Sequence, residues 1–191
     1  FKMKDIFEIV RHYKKTKNSK PIILMGYYNM IFNYGEDNFL KDCKKVGASG
    51  IICVDLPWPE NKNFAKKCKN KSINFIQLLA PTTTRERMKR IMKDSHDMVY
   101  YISMLSTTGG RLNVKPKQIL KNYNKIKSIN SKKNVVIGFG ITDKTIASLR
   151  SSQGLVVGSL LCKTITNSLK MRHNPVKKLK HILYNLKNKS L

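Results

Sequence analysis

The chain has 191 residues, 41% of them apolar, and a net charge of +27. That length fits one domain with a real core, and no apolar run approaches the about 20 residues that a membrane helix needs. So large a charge points first to nucleic acid, but the Lys and Arg are scattered, Lys greatly outnumbers Arg, and no stacking aromatics interleave the basic runs, so the surplus reads as solvated helix faces.

In chain order, residues 3–15 carry Ile6, Ile9, Val10 and Tyr13 at helical spacing. Pro21 leads into Ile22–Met25, a continuous apolar run of the kind expected for a strand buried on both faces. It ends in Gly26-Tyr27-Tyr28-Asn29. Phe39, Leu40, Cys43 and Val46 predict a helix, and Gly47 and Gly50 bracket the turn out of it. Ile51–Val54 predicts the second strand, closed by Asp55-Leu56-Pro57. A helix over 60–69 and a strand over Phe75–Leu79 follow. Thr83 to Glu86 matches a capping box for a helix buried through Met88, Ile91 and Met92.

Val99–Ile102 predicts the fourth strand and 103–113 a loop. Pro116 suits a first helical turn, with Ile119, Leu120, Tyr123 and Ile126 behind it. Two short strands, Val135–Ile137 and Leu155–Val157, end in glycine at Gly138-Phe139-Gly140 and at Gly158-Ser159, with a short helical pattern from Thr142 between them. A last helix starts near Pro175 and carries Val176, Leu179, Ile182, Leu183 and Leu186.

The strands recur at roughly the βαβ period of about 30 residues. Six such units fit an open doubly wound sheet, or the last six units of a (β/α)8 barrel. Glycines after two adjacent strands let main-chain N–H groups approach an anion. In barrels the phosphate site lies after strands 7 and 8. Counting back from there makes the first strand here number 3, with two units, about 75 residues in all, expected before it. The opening residue, Phe1, leads straight into a helix, so the chain is expected to begin partway through a larger protein.

Chemistry in such folds sits at the carboxyl ends of strands. The candidates are Tyr27, Tyr28, Asn29, Asp55, Tyr100, Ser103, Thr108, Gly109, Gly138, Phe139, Gly140, Gly158 and Ser159. Asp55 is the one carboxylate among them, and acid–base chemistry needs two groups with separated pKa values. Asp55 therefore reads first as an acceptor for loop N–H groups. His12, His96, His173 and His181 stand away from strand ends, and Lys163 reads as a surface lysine. Cys43, Cys53, Cys68 and Cys162 form no C-x-x-C pair and no metal spacing. They are expected to be buried free thiols, as in a reducing cytoplasm.

Six stretches then resemble one family: Pro21–Gly35, Gly47–Pro57, Asn74–Thr84, Val99–Gly109, Val136–Thr142 and Val156–Ser159. In order and spacing they look like the α subunit of tryptophan synthase. The resemblance implies a single (β/α)8 TIM-barrel domain over residues 1–191, with strands 3–8 present. It implies cleavage of indole-3-glycerol phosphate to indole and glyceraldehyde 3-phosphate in the cytoplasm. It also implies a β-subunit partner in an α2β2 heterotetramer, with pyridoxal phosphate in that partner and no cofactor or metal in this chain.

By position, the resemblance assigns phosphate binding to Gly109, Gly138, Gly140, Gly158 and Ser159. It gives the indole walls to Tyr100, Ile102 and Phe139 with Ile52 and Val156, and support near the reacting centre to Tyr27, Asp55, Tyr100 and the loop threonine Thr108. Asn29, Phe32, Asn33 and Pro57 match positions facing the β subunit. Ser106 stands where the family's loop has glycine, and Gln153 where aspartate is common. The family's catalytic glutamate and aspartate belong to strand 2 and its loop, which the count puts ahead of Phe1. The competing expectations are a non-catalytic activator of a β subunit, another phosphate-binding barrel enzyme, and a polyanion-binding module.

Overall fold

A computed structural model describes residues 2–103, 115–142 and 145–190. The elements run α1 (Met3–Lys14), β1 (Ile23–Gly26), α2 (Tyr28–Tyr34), α3 (Glu36–Val46), β2 (Gly50–Cys53), α4 (Lys62–Asn70), β3 (Asn74–Phe75), β4 (Gln77–Leu79) and α5 (Arg85–Asp94). They continue with β5 (Met98–Ile102), α6 (Pro116–Ile129), β6 (Asn134–Gly138), a 3-10 turn at Ala147–Leu149, β7 (Leu155–Val156), α7 (Ser159–Lys170) and α8 (Pro175–Ser190). Strand order is β1-β2-β3 in one sheet and β4-β5-β6-β7 in the other. The pairs β1–β2, β2–β3 and β6–β7 are parallel. Internal contacts divide the chain into two compact units, Phe1–Leu78 with Arg90–Val99, and Leu79–Lys89 with Tyr100–Leu191.

The first unit forms around β2, which is buried along its whole length. Helix α3 buries Phe39, Leu40, Cys43 and Val46, the face its apolar spacing predicts. Gly47 ends it at φ +84°, a left-handed cap that glycine takes without strain. Phe7 and Phe39 meet at 5.8 Å, as do Phe64 and Phe75, and three thiols, Cys43, Cys53 and Cys68, lie in the same core. A neutral amide pair is buried there too. Asn61 Nδ2 donates to Gln77 Oε1 at 2.8 Å and Gln77 Nε2 returns to Asn61 Oδ1 at 3.2 Å.

Three expectations fail in this unit. Strand β1 is not buried on both faces: Ile23 and Met25 are 40% and 51% exposed, while Ile22 and Leu24 pack on the core. Within its sheet β1 pairs only with β2, so its other edge is unpaired among the described residues. The run from Phe75 to Leu79 is two strands, because the ladder to β2 stops at Ile76, whose N–H reaches Ile51 O at 2.9 Å. Staggered register makes a strand's two ladders start and stop at different residues. Third, Tyr28 to Tyr34 is helical, where no helix was expected.

In the second unit α6 starts at Pro116 and buries Ile119, Tyr123 and Ile126. The cap of α5 is Thr84 and not Thr83: Thr84 Oγ1 accepts the Arg87 N–H at 3.4 Å, while Thr83 Oγ1 accepts the Ala80 N–H at 3.0 Å. The helical pattern from Thr142 condenses to the 3-10 turn. Helix α7 was not expected, because its pattern is inverted: it buries Thr164 and Ser168 and exposes Ile165 and Leu169. Cys162, on α7, is exposed, unlike the other three thiols. Asn174 Oδ1 accepts the Val176 and Lys177 N–H groups at 2.9 and 3.3 Å and so caps α8. Among the described residues no helix is long and apolar enough to cross a membrane.

Candidate active site

Two strand ends in the second unit carry the site. Register pairs Gly138 of β6 with Val156 of β7, so the glycine turns after both strands open at the same end. Gly138 has no room for a side chain. A Cβ there would stand 1.7 Å from the Tyr100 phenol oxygen. Tyr100 is 5% exposed and meets the Phe139 ring edge-on at 6.3 Å. Burial pushes its phenol up to about 12, so it stays a neutral donor through the physiological range.

The backbone then turns left-handed twice, at Phe139 (φ +69°) and Gly140 (φ +66°). For phenylalanine that costs about 1–2 kcal/mol, which surrounding contacts must offset. The loop carbonyls are tied from the protein side. Ser103 Oγ lies 2.8 Å from Gly138 O and 2.7 Å from Phe139 O, and Thr145 Oγ1 lies 3.2 Å from Gly140 O. After β7, Gly158 caps α7, and a Cβ on it would meet nothing within 4 Å. Leu161 and Cys162 donate to Gly158 O at 2.9 and 3.2 Å. The N–H groups of Ser159 and Leu160 precede that first bond, at the positive end of a 12-residue helix. Gln153 ties the entry to β7: its Oε1 accepts the Val135 N–H and its N–H reaches the Tyr123 hydroxyl, both at 3.1 Å. Val156 is 39% exposed and Ile102 half-buried. Ser106, Thr108 and Gly109 lie outside the described residues.

In the first unit Asp55 is an N–H acceptor, as expected: its Oδ1 takes the Tyr28 N–H at 2.7 Å, at the start of α2. The Tyr28 hydroxyl donates to Glu36 Oε1 at 2.5 Å, and that bond, with burial, pushes its pKa up to about 12. Lys67 pairs with Glu36 at 2.9 Å and with Asp37 at 3.2 Å. Asp94 accepts the Trp58 indole N–H at 2.7 Å, which with Lys62 at 3.4 Å lowers its pKa. Ile52 is buried, whereas Tyr27, Asn29, Phe32, Asn33 and Pro57 are exposed, Tyr27 by 61% and Phe32 by 67%. His96 is structural: its Nδ1 accepts the Phe75 N–H at 2.9 Å. Lys163 is exposed. Among the described residues no three His, Cys, Asp or Glu side chains converge on a metal position. Residue spacing missed the ties made by Tyr28, Glu36 and Ser103; only the position of Asp55 and Ser103 at strand ends hinted at them.

The arrangement offers main-chain N–H donors to an anion beside an aromatic wall. The family model for the tryptophan synthase alpha chain matches residues 1–190. The tryptophan synthase alpha chain of Pelagibacter ubique is 65% identical over 98% of this chain and 71% of its own length. That of Petrotoga mobilis is 36% identical over 97% and 71%. Tryptophan synthase subunit alpha from Legionella pneumophila superposes with a TM-score of 0.87 at 30% identity, over 98% of this chain and 69% of that one. The tryptophan synthase complex from Pyrococcus furiosus gives 0.84 at 31%, over 98% and 74%. The fold is the (β/α)8 barrel class that the resemblance implied, one of the two folds that the strand count left open. The chain belongs to the tryptophan synthase alpha chain family.

Proposed function

We propose that the second unit holds the substrate of the alpha reaction, indole-3-glycerol phosphate, for retro-aldol cleavage to indole and glyceraldehyde 3-phosphate. The phosphate sits against the backbone of Gly138–Gly140 and against Gly158 and Ser159 at the start of α7; the resemblance adds Gly109, which lies outside the described residues. Tyr100, Ile102, Phe139 and Val156 flank the indole. The observation that carries this reading is the Gly138 turn, where the buried Tyr100 ring of β5 packs directly on the glycine that ends β6. By resemblance, Thr108, which lies outside the described residues, and Tyr27 match positions near the reacting centre, and Ile52 matches an indole-lining position. The whole is read as one domain over residues 1–191 acting in the cytoplasm, with no cofactor or metal of its own.

Cleavage needs one group to protonate indole C3 and another to take the glycerol hydroxyl proton. The carbon–carbon bond breaks, its electron pair stays with the indole, and the hydroxyl carbon becomes the aldehyde. We infer that neither group belongs to these residues. Asp55 is committed to the Tyr28 N–H, Glu36 to Tyr28 and Lys67, and Asp94 to Trp58 and Lys62. The edge of β1 away from β2, unpaired among the described residues, supports a further strand there that carries them. The test is indole release from indole-3-glycerol phosphate by the purified 191-residue chain. None above background is expected, and a longer form with the family's strand 2 should be active. Turnover by the 191 residues alone overturns the inference.

The partner proposed is a pyridoxal-phosphate β subunit in an α2β2 assembly. A solved structure from Pyrococcus furiosus describes mutual activation in such a complex, and the chain resembles its α subunit at 32% identity. Exposed Tyr27, Met30 and Phe32, with Asn29, Asn33 and Pro57, supply an apolar contact face in the first unit. A second reading, a purely activating subunit, draws on the same commitment of Asp55, Glu36 and Asp94 to structural partners. β-Subunit turnover with and without this chain tests the partnership. Activation by a full-length form that lacks lyase activity would favour the second reading.

A further inference from the structure

Ser103 closes β5 and is fully buried, yet the substrate reading gives it no task. Its N–H donates to Gly138 O at 3.0 Å, and its hydroxyl reaches both Gly138 O and Phe139 O. Successive carbonyls in an extended strand point to opposite sides. Here two in a row point at one oxygen, and a hydroxyl has a single proton to share between them. A trans peptide holds its N–H opposite its C=O. The N–H groups of Phe139 and Gly140 are therefore turned to the side away from Ser103.

Thr145 continues the arrangement by taking Gly140 O, so three successive carbonyls are held by two hydroxyls. Phe139 and Gly140 both take positive φ, so the backbone turns sharply as it leaves β6. Among the described residues the Gly140 and Ile141 N–H groups have no hydrogen-bond acceptor in the protein.

We propose that Ser103 is a positioning residue for the substrate phosphate: its hydroxyl turns the Gly138 and Phe139 carbonyls inward and thereby aims the Gly140 N–H at the anion. It touches no substrate atom and acts through the backbone. The inference rests on the phosphate reading above.

The test is a titration of isotope-labelled protein with inorganic phosphate, following backbone amide resonances. In the wild type the Gly140 amide should shift saturably. Ser103→Ala should weaken phosphate binding about tenfold and abolish the Gly140 shift while the spectrum stays that of a folded protein. Ser103→Thr, which keeps the hydroxyl, should recover affinity to within about threefold of wild type on the same scale. Ser95→Ala removes another buried hydroxyl, bonded to Met92 O at 2.9 Å, and should leave phosphate affinity unchanged. Equal phosphate affinity in wild type and Ser103→Ala overturns the role of Ser103. Absence of any Gly140 shift in the wild type overturns the phosphate site itself.

Discussion

After β2, charged side chains hold the chain in place: Asp55 caps α2, and Glu36 ties Tyr28 to Lys67. After β6, hydroxyls hold backbone carbonyls and the N–H groups face the other way. The first arrangement consumes acceptors on structure. The second leaves donors for a ligand. The difference separates two properties of strand ends, since one end here has its acceptors committed while the other keeps donors free. It also explains why a lone carboxylate at a strand end need not be a catalytic one.

Changes at these two ends should differ in kind, and the largest effect is expected at Gly138. Gly138→Ala must displace the Tyr100 ring and should cost about 2–3 kcal/mol in urea unfolding. In a Tyr100→Val background the added loss should fall below about 1 kcal/mol. Equal losses in both backgrounds would mean that the ring is not what excludes a side chain there. At the other end, Asp55→Ala removes the acceptor for the first N–H of α2 and should cost about 1 kcal/mol. Asp55→Asn keeps an oxygen and should cost less than half of that, so a full loss in both would point to charge rather than the cap.

Tyr28→Phe probes the same end through pH. The folded Tyr28 pKa is raised to about 12 from 10.0, first by the Glu36 bond and then by burial. A raised pKa stabilises the fold fully below the unfolded value, and that contribution fades as pH climbs from about 10 to about 12. The wild-type advantage over Tyr28→Phe should thus be present at pH 8 and shrink by pH 11. A constant difference would show that the hydroxyl bond is not what raises the pKa. The smallest effect is expected from Lys67→Met, since the lysine is 43% exposed in both its ion pairs. It should be visible only at low ionic strength, and a salt-independent loss would show that Lys67 contributes packing.

Most elements were legible because the strands leave short continuous apolar runs, even where β1 is half-exposed, and α3 and α6 bury the stripe that their spacing predicts. The glycine ends of β6 and β7 were legible because glycine marks places where a side chain cannot go, as Tyr100 demonstrates at Gly138. Helix α7 escaped because it buries Thr164 and Ser168, so hydrophobic spacing points to its wrong face. Helix α2 escaped because its first N–H is held by Asp55, a residue 27 positions away. Ser103 was visible as a strand-end residue, but its work is on carbonyls, and no spacing rule reports the direction of a carbonyl.

The buried amide pair of Asn61 and Gln77 offers a clock for the first unit. Neither side chain titrates, so no pH jump can release them, and each amide is closed in by the other. Their side-chain protons can exchange with deuterium only when that core opens. The rate of that exchange therefore measures how often the scaffold behind β2 breathes, independently of anything bound at β6.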